Sequence, residues 1–187
     1  MGSTTRSALA ALLLALALSP APVDAQDGHK DFDFNFGSWR THLRRLRQPL
    51  SGSQEWVEYE GTSTVHSLLD GRANLVELSV SGLAGRIQGV LLRLYRPETR
   101  LWYMHYASIS NGELTPPLVG AFENGRATFY ADDELDGRPI RVRFVISDIT
   151  DRSARFEQAY SADGGKTWEV NWIATDTRLK AAPAGAD

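Results

Sequence analysis

The sequence predicts an all-β domain, a single antiparallel barrel of about ten strands with a short aromatic plug at its N-terminal end. Three observations carry this. Apolar and polar residues alternate through segment after segment from Trp39 almost to Arg178. The breaks between segments are turn-forming pairs rather than helix caps. No segment carries a helical period long enough for a core helix, so the strands must close on themselves or leave bare edges.

The chain opens with Arg6 ahead of an apolar run, Ala8 to Leu18, then Val23-Asp24-Ala25. A positive start, an apolar stretch too short to span a bilayer and small residues at a cleavage point predict a signal peptide over 1–25. Removing 25 of the 187 residues leaves 162, enough for one domain with a sizeable core. The predicted mature chain starts at Gln26, a barrel domain covers 26–180, and the Ala-rich residues 181–187 form a disordered tail. The expected location is periplasmic or secreted.

There is no cysteine, so stability rests on packing and thiolate metal sites are excluded. Arg6 and Asp24 leave together, so the net charge stays at −3. Mild acidity with interspersed signs excludes the basic stripe of a nucleic-acid binder, and no membrane partner is expected once the signal is cleaved.

The elements follow in order. Phe32, Phe34 and Phe36 precede Gly37 at once, which fits a turn or single helical turn packing rings against one barrel end. Extended segments are predicted over 39–47, 55–66, 73–80, 87–96, 100–108, 117–122, 126–132, 138–148, 153–161 and 167–178. Asn124-Gly125 joins two of them with residues suited to positive φ, and Asp70-Gly71, Asp136-Gly137 and Asp163-Gly164-Gly165 serve similarly. Pro97 presets a turn at Arg96–Thr99. The longest break runs from Asn111 to Pro117. Hairpin after hairpin gives a meander with antiparallel neighbours.

Ser161-Ala162-Asp163-Gly164-Gly165-Lys166-Thr167-Trp168 matches the Asp-box pattern. Its Asp accepts backbone N–H groups in a turn while the Trp packs beneath, so it reads as a hairpin and not as a glycosidase signature.

Polar groups embedded in aromatic strands are the candidates for a site. Arg93 and Tyr95 share a strand face, and a guanidinium beside a phenol inside a barrel forks an oxyanion. Trp102, Met104 and Tyr106 share another face. Gln158 and Tyr160 share a face on one strand, as do Glu169 and Asn171 on the next, with Trp172 on the opposite face. An amide in such a strand must be hydrogen-bonded, to a neighbour or to a guest. Trp56, Glu58 and Glu60 lie on one face. Carboxylates at that spacing stand about 6.5–7 Å apart, two steps of about 3.3 Å, but the same alternation describes an exposed strand. His29, His42, His66 and His105 show no ligand spacing, so no metal site is expected.

The lead-in with Gly37-Ser38-Trp39 resembles the opening of lipocalin-like, or calycin, barrels, where the Trp closes the floor. The longer string is similar to an uncharacterised bacterial family of exported lipocalin-like barrels. It comprises Phe34 to Trp39, Glu60-Gly61-Thr62, Leu92 to Tyr95, Pro116 to Gly120, and Glu157 to Ser161 running through the Asp-box to Trp172. That resemblance implies the fold and an exported location, and no activity. Fatty-acid-binding barrels carry Arg-x-Tyr on the last strand, whereas here it lies on the fourth and the last ends Thr175-Asp176-Thr177-Arg178. Nitrobindin-like barrels hold haem on a His near the C-terminus, and no His follows His105, so no cofactor is expected.

The favoured reading is a barrel binding a small amphipathic molecule. Trp102, Tyr106 and Trp172 give apolar contact, and Glu60, Arg93, Tyr95, Gln158 and Asn171 fix orientation. Two alternatives stand beside it. One is an isomerase or hydrolase using a lumen carboxylate or His (Glu60, Glu77 or His105). The other is an envelope interaction protein with a filled barrel.

Overall fold

A computed structural model describes residues 27–179. The signal peptide expected over 1–25, the start at Gln26 and the tail expected over 181–187 lie outside the described residues. Ten strands run in chain order: β1 (Gly37–Leu46), β2 (Trp56–Leu68), β3 (Ala73–Gly82), β4 (Gly85–Arg96), β5 (Leu101–Ser108), β6 (Leu118–Glu123), β7 (Arg126–Leu135), β8 (Arg138–Ser147), β9 (Ser153–Ser161) and β10 (Glu169–Arg178). Each pairs antiparallel with its sequence neighbours, and β10 returns to pair with β1, closing the barrel. An even-numbered meander meets itself antiparallel, so closure needs no crossover.

The turns obey the residue chemistry. Asn124-Gly125 and Asp136-Gly137 hold positive φ at both positions, as a two-residue hairpin of this twist requires. In the Asp-box, Asp163 accepts Lys166 N at 2.9 Å and Thr167 N at 2.9 Å, and Trp168 Nε1 donates to Gly165 O at 3.0 Å. That hydrogen bonding holds the Asp163 carboxyl well below the usual range. Arg143 lies 4.5 Å over the Trp168 ring, so the motif braces the end of a hairpin.

Alternation fixes the two faces. Met104 on β5, Phe129 on β7, Val142 and Ile146 on β8 and Phe156 on β9 point inward and are buried. The outer wall of β1–β3 carries cross-strand polar pairs: His42 lies 3.8 Å from Glu58 and from Glu60, Arg44 pairs with Glu58 at 3.8 Å, and His66 lies 3.9 Å from Glu77. Such exposed pairs are individually weak.

One end of the barrel is plugged from the N-terminal side. Two short 3₁₀ turns, Gly28–Lys30 and Asp33–Asn35, fold the aromatic lead-in under the strands. Phe32 is fully buried and meets Trp102 and Phe122 edge-on, with ring centroids 4.8 and 5.0 Å away. Trp39 Nε1 donates to Asn35 O at 2.8 Å, and Trp102 Nε1 to Gly28 O at 3.0 Å. Arg178 donates to the Phe34 and Phe36 carbonyls and stacks 4.0 Å over Trp39. The lead-in therefore uses its rings to fill the floor, while tryptophan and arginine donors satisfy its own carbonyls.

Phe32→Ala should lower unfolding free energy by about 3–5 kcal/mol, read from urea denaturation. A loss under about 1 kcal/mol would mean the plug packs independently of the barrel.

Candidate functional site

Above the plug the barrel is hollow. A cavity of about 570 Å³ opens at the end opposite the floor. Its walls are mostly apolar, with Leu78 from β3, Leu91 from β4, Met104 from β5, Val142 and Phe144 from β8, Phe156 from β9 and Trp172 from β10. Room near the mouth comes partly from Gly89. A Cβ there would stand 2.5 Å from the Tyr106 hydroxyl, so glycine lets the tyrosine lie across the inner wall.

The base of the cavity is polar. Arg93 from β4 is 2% exposed and lines it. Its Nη1 donates to Asn35 Oδ1 at 2.8 Å and to Asn74 Oδ1 at 3.3 Å, and its guanidinium carbon sits 4.2 Å over the Phe32 ring. Both amide contacts use Nη1, while the buried Nε has no protein acceptor. The Nδ2 atoms of Asn35 and Asn74 are buried and unpartnered as well. Burial disfavours the charged guanidinium and pushes its pKa down to about 9, against the pull of Asp176.

Asp176 from β10 is the opposing charge. Thr41 Oγ1 donates to its Oδ1 at 2.6 Å and Ser63 Oγ to its Oδ2 at 3.0 Å. Burial raises its pKa; the two hydroxyls and Arg93 pull the other way and do not cancel that rise. Higher up, burial also raises the hydroxyls of Tyr106 and Tyr160. The site thus joins an apolar shaft to a floor that holds one acid, one base and donors in excess.

Four of the residues singled out from sequence line this cavity: Arg93, Tyr106, Gln158 and Trp172. Asn171 does not line it. It sits where the β9–β10 register slips between Val170 and Trp172, buried, with its Oδ1 accepting Gln158 Nε2 at 3.0 Å. The extra residue breaks the alternation across β10, and Asn171 acts as a brace for the Gln158 amide. Tyr95 and Trp102 point inward but lie below the cavity, packed against the plug 5.3 Å from each other. Their expected ligand contact is corrected for that reason: the segment from Gly28 to Phe32 occupies the space they face.

Glu60 is corrected more sharply. Its side chain is 64% exposed on the outer wall, paired with His42, because even-numbered positions of β2 face solvent. Glu77 is equally outward at 62% exposure, and His105 faces outward to the Thr115 carbonyl at 3.0 Å. The enzyme alternative called on these three, and none reaches the cavity. Sequence reasoning missed Asp176, Thr41, Ser63 and Asn35. Asp176 shares the parity of Trp172 and Ala174, so an acid on an otherwise apolar face was the available signal. Thr41 and Asn35 carried none until the strands closed.

A closed ten-stranded antiparallel meander, plugged at one end by its N-terminal aromatics and hollow above, defines a calycin-like, lipocalin-type barrel. The fold is similar to that of the S-type phycobiliprotein lyase CPES from Guillardia theta, with a TM-score of 0.54 and 15% identity over 82% of this chain and 93% of that one. A redesigned β-barrel, mFAP0, bound to DFHBI, aligns with a TM-score of 0.43 and 12% identity over 78% of this chain and 99% of that one. At 15% identity the likeness to the lyase speaks for fold alone. No protein-family model matches the chain, and no curated protein matches it.

Because Asp176 holds its proton more tightly folded than unfolded, it favours the folded state most below its unfolded pKa. That contribution fades as pH rises through the raised folded value. Melting temperatures should therefore diverge, with Asp176→Asn gaining on the native chain as pH rises from about 4 to about 8. Parallel curves would mean Asp176 titrates as if exposed.

Proposed function

We propose that this protein binds a small amphipathic molecule in its lumen. The observation that carries the reading is a cavity of about 570 Å³ with apolar walls and a charged floor whose donors exceed their protein acceptors. That volume is in the range of small-molecule sites, which are mostly apolar with a few placed polar groups. The guest's apolar body lies against Leu91, Met104, Phe156 and Trp172, and its polar end descends to Arg93 and Asp176. Tyr106 and Gln158 make contacts nearer the mouth. The signal peptide predicted over 1–25 supports a site of action in the periplasm or outside the cell.

Native mass spectrometry of the protein purified from its host should show an added small-molecule mass. The neutral fluorophore N-phenyl-naphthylamine should brighten on binding. Ala174→Phe, which puts a ring into the shaft, should abolish both while leaving the melting temperature within a few degrees. A protein that carries no added mass and leaves the fluorophore dark would end this reading.

A further inference from the structure

The floor selects among amphipathic guests, an inference that rests on the lumen-binding reading above. Nη1 of Arg93 is spent on Asn35 and Asn74, both of which offer it their only acceptor oxygen. The remaining edge of the guanidinium, Nε with Nη2, is the one with which arginine forks a carboxylate. Its Nε is buried without a partner, as are the amide nitrogens of Asn35 and Asn74. Buried donors left unmet are costly, and here they gather around one cation that lines the cavity.

Charge balance adds a second condition. Asp176 and Arg93 act on each other at the cavity base, though each makes its hydrogen bonds elsewhere. A guest carboxylate seated on Arg93 takes over as counter-charge and leaves Asp176 as a second buried anion. Two carboxylates sharing one cation in a poorly solvated site do not both stay ionised. We propose that the lumen takes an amphipathic monocarboxylate, its head on the Nε–Nη2 edge of Arg93, and that one proton from solvent enters with it onto Asp176. The balance is one anion and one proton in, with no bond to carbon made or broken.

The surroundings of Asp176 leave it free to play this part. Thr41 faces it from β1, Ser63 from β2 and Ala154 from β9. Arg93 on β4 is the charged group that acts on it. Arg178, next inward on its own strand, is committed to the plug carbonyls. Arg45, Asp133 and Tyr160 stand on the lining of the cavity, outside the hydrogen bonds that Asp176 makes.

Displacement of N-phenyl-naphthylamine by decanoate and by decanol separates the head from the tail. Decanoate should compete at about tenfold lower concentration or better, the worth of a charge-assisted fork. Its affinity should be highest at low pH and fall as pH rises through the Asp176 titration, followed from about pH 5 to about pH 7.5, below the Arg93 titration. Asp176→Asn should keep the preference for decanoate and flatten that profile. Arg93→Lys, which retains charge but not the fork, should erase most of the preference for decanoate over decanol. Equal competition by decanol would overturn the carboxylate assignment, and an unchanged pH profile in Asp176→Asn would overturn the proton. Failure of the fluorophore to bind the native protein would instead remove the lumen reading, and this inference with it.

Discussion

The seating of Phe32 beneath Arg93 is the contact on which the remainder of the structure depends. The ring fills the base of the barrel against Trp102 and Phe122, and the guanidinium lies 4.2 Å above it. The upper surface of the plug is therefore the lower surface of the cavity. An empty barrel of this size would otherwise be open at both ends. Without cysteines, the chain closes one end by folding its own lead-in under the strands and clamping it from Trp39, Trp102 and Arg178. Packing and site construction are here a single event, because the plug that these residues hold supplies Asn35 and Phe32, which orient Arg93.

A guanidinium in such a place is expensive, which makes its retention informative. Burial pushes its pKa down to about 9, and a well-packed apolar side chain would fill the same space without desolvation cost. The cost is partly offset by two amide acceptors, a ring face and the field of Asp176. Each amide, however, introduces donors of its own, and the Nδ2 atoms of Asn35 and Asn74 end without partners. Were Arg93 purely structural, the simplest arrangement would spend its free edge on Asp176 directly. Asp176 instead rests on Thr41 and Ser63, so acid and base are held apart, facing the same space.

Most of the fold was legible in the sequence. Hairpin chemistry such as Asn124-Gly125 is local, and strand parity such as that of Trp102, Met104 and Tyr106 follows from a period of two. The aromatic lead-in reads as a plug because three alternating Phe residues have nowhere else to go. Residues whose roles arise from convergence were not legible. Asn35, Thr41, Ser63, Asn74 and Asp176 come from the plug and four strands, and only closure brings them to one floor. Depth along the barrel was equally hidden: Arg93 and Tyr95 share a face, yet one lines the cavity and the other lies beneath it. Glu60 shows the converse, since alternation alone cannot say which parity faces in. The β10 bulge at Asn171 broke parity where no glycine announced it.

The two ends of the barrel differ in how firmly they are held, and that difference bears on how a guest would reach the floor. At the base, side-chain clamps join the lead-in to β1, β5 and β10. The β5–β6 ladder pairs over Trp102–Met104 alone, toward the floor, and on the mouth side the segment from Ile109 to Pro117 bridges the gap. That segment is tied by Thr115, whose N–H donates to Tyr106 O at 2.8 Å and whose Oγ1 accepts Tyr106 N at 3.0 Å. Local opening is cheapest where ladders are short and side chains exposed, and Ile109 and Leu114 are both exposed. Access from the mouth side leaves Phe32, Arg93 and Asp176 in place. A floor that does not rearrange keeps its donors preorganised, so the cost of holding them buried falls on folding and not on binding.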